Sequence, residues 1–193
     1  MPFWSQDLQG SPTIRDPKRS FRFIVLFDGI GTDGGQLWYA KTATKPGFAV
    51  NNSEHKYLGH TFYYPGSVTW SDVTVTLVDP TTPDMSATLS DLMVLSGYEP
   101  PASYDDLITI SKAKAVNGIG TIKIIQLDSE GNYIEQWTLH NGFIVDMKFG
   151  ELSYENEGLT ELSVTLKYDW AELTVQGEGS VAANTGETEF FGV

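Results

Sequence analysis

The chain has no cysteine in its 193 residues, which excludes disulfides and thiolate metal sites together. Histidine is nearly as scarce. His55, His60 and His140 are the three present, and the first two are five apart, which on one strand sets them on opposite faces. A zinc site is therefore not expected, nor any other metal or cofactor. Basic side chains are few: twelve Lys and Arg stand against twenty-five Asp and Glu, a net charge of −13. Residues 128–193 hold thirteen acids and only Lys148 and Lys167, while residues 1–127 carry twelve acids against ten bases. Gripping a phosphate backbone needs clustered Lys and Arg, so direct nucleic-acid binding is disfavoured. An acidic surface of this kind either aids solubility or lets polyanions pass without holding them. Long hydrophobic runs are missing too. The longest, Phe23–Phe27, falls far below the roughly 20 residues of a membrane span. Met1-Pro2-Phe3-Trp4-Ser5-Gln6-Asp7 lacks the basic start and apolar run of a signal peptide. The expectation is a soluble protein without membrane insertion.

What the chain does have is alternation. Phe21, Phe23, Val25 and Phe27 form one apolar row, and Leu162, Val164, Leu166, Tyr168 and Trp170 form another. A period of two sets one row against a core and the other towards water or a partner. Leu37–Thr44 reads as a strand that Pro46-Gly47 breaks. Phe48–Asn52 and Lys56–Tyr64 read as two arms of a hairpin turned at Asn52-Ser53-Glu54. Beyond Pro65-Gly66 the apolar phase moves from Val68 and Trp70 to Val73, Val75 and Leu77. That shift predicts a bulge near Ser71-Asp72 that re-aims the chain between two sheets. Asp84 can cap a helix whose Met85, Leu89, Leu92, Met93 and Leu95 recur at helical spacing up to Gly97. Strands resume at Ile122–Leu127, Tyr133–His140 and Phe143–Phe149, followed by a final pair. Eight or nine strands and one principal helix predict a mainly β fold, a sandwich or barrel with one flanking helix. The expected organisation is a single domain over 1–193. Within it lie an N-terminal arm (1–18), a β core (19–175) with an extended hairpin (43–66) and helix (84–97), and an acidic tail (176–193).

No motif carries catalytic chemistry. Gly29-Ile30-Gly31-Thr32-Asp33-Gly34 has the spacing of a dinucleotide fingerprint. The strand-like Leu37-Trp38-Tyr39-Ala40 follows it, where a helix N-terminus would be needed to hold a pyrophosphate. Asp105-Asp106 and the Glu155/Glu157 pair read as turn residues, and no Gly-x-Ser-x-Gly elbow is present. The aromatics (ten Phe, nine Tyr, five Trp) suit a carbohydrate platform or an interior. The strand phase of Trp70, Trp137 and Trp170 favours the interior. A non-enzymatic protein is expected, with a carbohydrate-binding β-sandwich module as one alternative.

The order of several short segments resembles the tail tube proteins of contractile-tailed, T4-like bacteriophages. These are Gly47-Phe48-Ala49-Val50, His60-Thr61-Phe62-Tyr63-Tyr64-Pro65-Gly66, Val68-Thr69-Trp70 running on to Pro80, Trp137–Phe143 and Leu166–Trp170. The similarity spans roughly residues 20–170. It implies a structural virion protein whose hexameric rings stack into the inner tail tube, through which phage DNA is delivered. It also implies strands given to a continuous inner barrel, with a hairpin and terminal arms meeting the next ring. The inter-subunit residues would be Phe48, Val50, Asn52, Glu54, His55, Tyr57, Tyr63, Tyr64, Phe190 and Phe191. Implied partners are further copies of the chain, a tail sheath protein, and baseplate and tail-terminator proteins, with DNA passing the lumen unbound. Localisation would be the virion, assembled in the host cytoplasm. A tube or tube-junction protein of a related contractile injection system is the neighbouring alternative.

Overall fold

The computed structural model describes residues 17–29, 39–82, 84–98, 109–155, 157–176 and 187–190. In chain order these form β1 Phe23–Phe27, β2 Ala40–Ala43, β3 Phe48–Tyr57, β4 His60–Trp70, β5 Val73–Val78, α1 Met85–Leu95, α2 Lys112–Ile119, β6 Ile122–Leu127, β7 Tyr133–His140, β8 Phe143–Lys148, β9 Glu161–Lys167, β10 Trp170–Gln176 and β11 Glu187–Phe190. A five-stranded sheet has the order β1-β6-β7-β10-β11, and a four-stranded sheet the order β2-β5-β9-β8. The β3–β4 hairpin is a separate two-stranded sheet.

Alternation builds the core, although Phe21, the first of its expected apolar row, lies before β1 and is 72% exposed. Val73, Val75 and Leu77 on β5 and Leu162, Val164 and Leu166 on β9 are fully buried, facing Val25, Phe27, Ile122 and Leu139 of the larger sheet. Helix α1 adds Met85, Leu89 and Leu92. Asp84 caps it by accepting from the Ala87 amide, and Asp79 accepts from Met85 N and Ser86 Oγ. The mainly β fold with a flanking helical region is thus the observed one.

Several local expectations change. The hairpin turns at Leu58-Gly59, not at Asn52-Ser53-Glu54, which pair with Pro65, Tyr64 and Tyr63 in mid-strand. Leu58 (φ 46°) and Gly59 (φ 81°) both take left-handed backbone, the requirement of a two-residue primed turn. The hairpin therefore spans residues 48–70 instead of 43–66. Pro65-Gly66 does not end it. Val50 pairs with Val68 and Asn52 with Pro65, so β4 carries one extra residue there, a bulge that tolerates a proline. The change of phase at Ser71-Asp72 is a passage between sheets, as the apolar pattern indicated, because β4 and β5 belong to different ones.

Trp170 is the clearest correction among the aromatics. Trp70 and Trp137 pack against the core, but Trp170 is 45% exposed. The row from Leu162 to Trp170 is not one strand: β9 ends at Lys167, the chain bends, and β10 begins in the other sheet. A second helix, α2, follows a capping Ser111 and buries Ala115 and Ile119. Its short, weakly apolar sequence hid it. The tail does not all leave the body, since Glu187–Phe190 pairs with β10, Phe190 opposite Leu173. Residues 1–16, most of the glycine-rich 29–35 segment, the Asp105-Asp106 pair and Phe191 lie outside the described residues. No helix among the described residues is long and apolar enough to cross a membrane.

Candidate assembly surfaces

The β3–β4 hairpin holds most of the expected inter-subunit residues and buries almost none of them. Every residue of β3 is exposed, and of β4 only Trp70 is partly covered. An isolated two-stranded hairpin is marginal in water, and contiguous exposed aromatics mark an interaction surface. Register sorts the side chains onto two faces. Phe48, Val50, Asn52 and Glu54 share one face with Tyr63, Val68 and Trp70. His55 and Tyr57 share the other with His60, Phe62 and Tyr64. His55 and His60 are therefore diagonal neighbours on one face, contrary to the single-strand expectation, because the turn falls between them. His60, Phe62 and Val68 join the surface only once that turn is located at a two-residue loop ending in glycine.

The root of the hairpin is fixed to the body. Phe48 meets Trp70 edge to face at 5.3 Å between centroids, and Trp70 meets Tyr168 at 5.9 Å. The Ser71 amide donates to the Gly47 carbonyl at 2.8 Å, closing the neck. Tyr168 is 6% exposed, and its hydroxyl donates to the Ser71 carbonyl. Burial, with the nearby Asp72 carboxylate, pushes the phenol up to about 12.

Glu135 is buried and bridges Lys18 and Lys45, the latter in the segment entering the hairpin. The Lys45 ammonium also donates to Gln126 Oε1 at 2.6 Å, and Gln126 Nε2 donates to the Arg19 carbonyl at 3.1 Å. Burial alone would raise the Glu135 carboxyl, but the two ammonium groups outweigh it and hold the carboxyl below its usual range. This cluster joins the segment before β1, the segment entering the hairpin, and β7. Nothing in composition or spacing announces it.

The four-stranded sheet has the core on one face only. The other presents Thr42, Thr74, Thr76, Ser163 and Thr165, with charges in pairs. Lys41 contacts Glu161, Lys148 lies 3.4 Å from Asp146, and Lys167 lies 3.1 Å from Asp72. Three lysines thus balance three carboxylates. Among the described residues, β2 and β8 each have a strand partner on one side alone. Beside the β8 edge a cleft of about 440 Å³ runs between that strand and α1, lined by Met93, Val94, Tyr98, Val145 and Phe149.

The other sequence candidates take structural roles. Gly29 donates its amide to the Ile119 carbonyl, and a Cβ there would lie 2.1 Å from the Gly118 oxygen. Close packing on the end of α2 requires this glycine. The ring of Trp170 stacks on His140 at 4.9 Å, and Glu172 lies 3.1 Å from the same imidazole, so one aromatic face is already covered. No group of three or more metal-ligating side chains is found among the described residues.

No protein-family model matches the chain, and no curated protein does. Solved structures do. A chain of the PVC extracellular contractile injection system, from its sheath/tube terminator in the extended state, aligns at 15% identity and TM-score 0.62, covering 83% of this chain and 99% of that one. One from the PVC sheath–tube complex gives 15% and 0.61, with 82% and 92% covered. One from the sixfold-symmetrised anti-feeding prophage baseplate gives 13% and 0.60, with 82% and 96% covered. The protein therefore shares a mainly β fold with these chains from contractile injection systems. At these identities the likeness is one of fold.

Proposed function

We propose that this chain is a non-enzymatic tube subunit of a contractile injection particle, one segment of a closed and stackable ring. The observation that carries this is the four-stranded sheet, whose edges β2 and β8 lack outer partners among the described residues while one face is polar. Pairing β8 with β2 of a second copy joins unlike edges, a heterologous contact that forms a ring when the rotation between copies closes. It also removes two edges that would otherwise template aggregation. The core face already carries the larger sheet and α1, so the polar face turns inward to a bore. The neighbour's β2 then covers the apolar cleft beside β8. Sixfold symmetry in the anti-feeding prophage baseplate supports a hexamer, and the sheath–tube and terminator assemblies support sheath, baseplate and terminator partners.

On this reading the bore is hydroxyl-rich and charge-balanced, not acidic. The three lysines on the bore-facing sheet each have a carboxylate partner, which leaves no bare cation there to retain phosphate. The similar structures favour the injection-system form of the proposal, and the charge-paired bore is equally compatible with the phage-tail form, in which DNA crosses the lumen of a virion without specific binding. Sedimentation and negative-stain imaging of the purified chain over a concentration series test the proposal. Hollow rings are expected, and a strictly monomeric species at the highest concentration contradicts it.

A further inference from the structure

We propose that the loop joining β8 to β9 is the socket that receives the β3–β4 hairpin of a second copy stacked end to end. The inference rests on the tube reading and adds the receiving surface to it. Topology sets the two features at opposite ends of the four-stranded sheet. The hairpin returns through Trp70 into Val73, which pairs with Leu166, whereas the loop runs between Lys148 and Glu161, beside Ser163 and Val78. Copies stacked head to tail therefore bring the hairpin of one towards the loop of the next.

The loop has the chemistry of a receiving site. Leu152, Tyr154 and Leu159 are almost fully exposed, an apolar set with no partner of its own in the core. With Glu151 and Thr160 they frame a cleft of about 330 Å³. The loop is anchored at both ends. Gly150 (φ 80°) approaches Glu161 so closely that a Cβ would lie 2.5 Å from its carbonyl oxygen, and Thr160 accepts from the Asp79 amide at 3.0 Å.

The hairpin face that carries Tyr57, Phe62 and Tyr64 offers complementary aromatic bulk. Charge points the same way. The loop carries Glu151, Glu155 and Glu157 without a lysine or arginine. That hairpin face carries His55 and His60 and no acid, since Glu54 and Lys56 lie on the opposite one. Each imidazole keeps an N–H to donate to a carboxylate in either tautomer.

The absence of cysteine makes the test direct. Chains carrying Tyr57→Cys and chains carrying Tyr154→Cys are mixed, allowed to assemble, and treated with a short bis-maleimide. A covalent dimer in the mixture, absent from either variant alone, is expected. Rings and stacks visible without that dimer overturn the socket and leave the tube reading intact, as does a dimer from Tyr57→Cys alone, which would show hairpins meeting one another. If the unmodified chain forms no rings, the tube reading and the socket fall together. In a second arm, the Glu151→Gln, Glu155→Gln, Glu157→Gln variant should form rings but require roughly tenfold more protein to stack. Unchanged stacking contradicts the charge component.

Discussion

The Tyr168 hydroxyl donates to the Ser71 carbonyl across 2.8 Å, joining the bend between β9 and β10 to the neck of the hairpin. Tyr168→Phe keeps the ring but leaves that carbonyl short of a donor, and should cost about 1–2 kcal/mol in urea unfolding. It should also change the alkaline response. The folded phenol is pushed up to about 12, so its contribution is complete below the ordinary tyrosine value near 10 and disappears as pH rises through the folded one. The unmodified chain should lose stability across that window, and the Phe variant should lose less.

Glu135 gives the opposite sign. Its carboxyl is held below the usual range against the pull of burial, so its contribution is present above an ordinary carboxyl value of about 4.3 and is lost as pH falls through the lower folded one. Glu135→Gln should flatten this acid slope. At neutral pH the loss should be about 1–2 kcal/mol, kept small because Lys18 and Lys45 are half exposed. A urea series at several pH values measures both.

Gly59 has open space where a Cβ would stand, so its requirement is conformational alone. Gly59→Val places a β-branched residue in left-handed backbone and should cost the hairpin about 1–2 kcal/mol. Because β3 and β4 lie outside the core, the global unfolding midpoint should barely move. Amide exchange over residues 48–70 should accelerate, and stacking should weaken.

Leu166 is fully buried opposite Val73. Leu166→Asp places an unpaired carboxylate in the core and should cost more than about 4 kcal/mol, enough to abolish folding. Far-ultraviolet circular dichroism of the purified variant reads this directly.

The core was legible because burial on one face of a sheet imposes a period of two, and Val73–Leu77 and Leu162–Leu166 obey it. The α1 boundaries were legible because Asp84 and Gly97 are strong end signals. The hairpin was legible as extended chain, but its turn was not: Leu58 is an unusual residue for left-handed backbone, and polar Asn52-Ser53-Glu54 imitated a turn. Trp170 escaped because a bend at Tyr168-Asp169 resets the phase without glycine or proline to mark it. The Glu135 cluster was out of reach, since it joins residues more than eighty positions apart through tertiary packing. Balanced charge on the polar face was hidden in part for the same reason: Lys148 and Asp146 are two apart on β8, but Lys41 meets Glu161 and Lys167 meets Asp72 only through tertiary packing.

The central claim is that β8 of one copy completes the sheet of the next through β2. Electron cryo-microscopy of the assembled protein, at a resolution that separates strands, measures this directly. The account predicts an unbroken ladder of strands around the bore, four per copy, with Thr74, Thr76, Ser163 and Thr165 facing the hollow. Density showing β2 and β8 facing solvent, or each edge covered by its own chain, would contradict it.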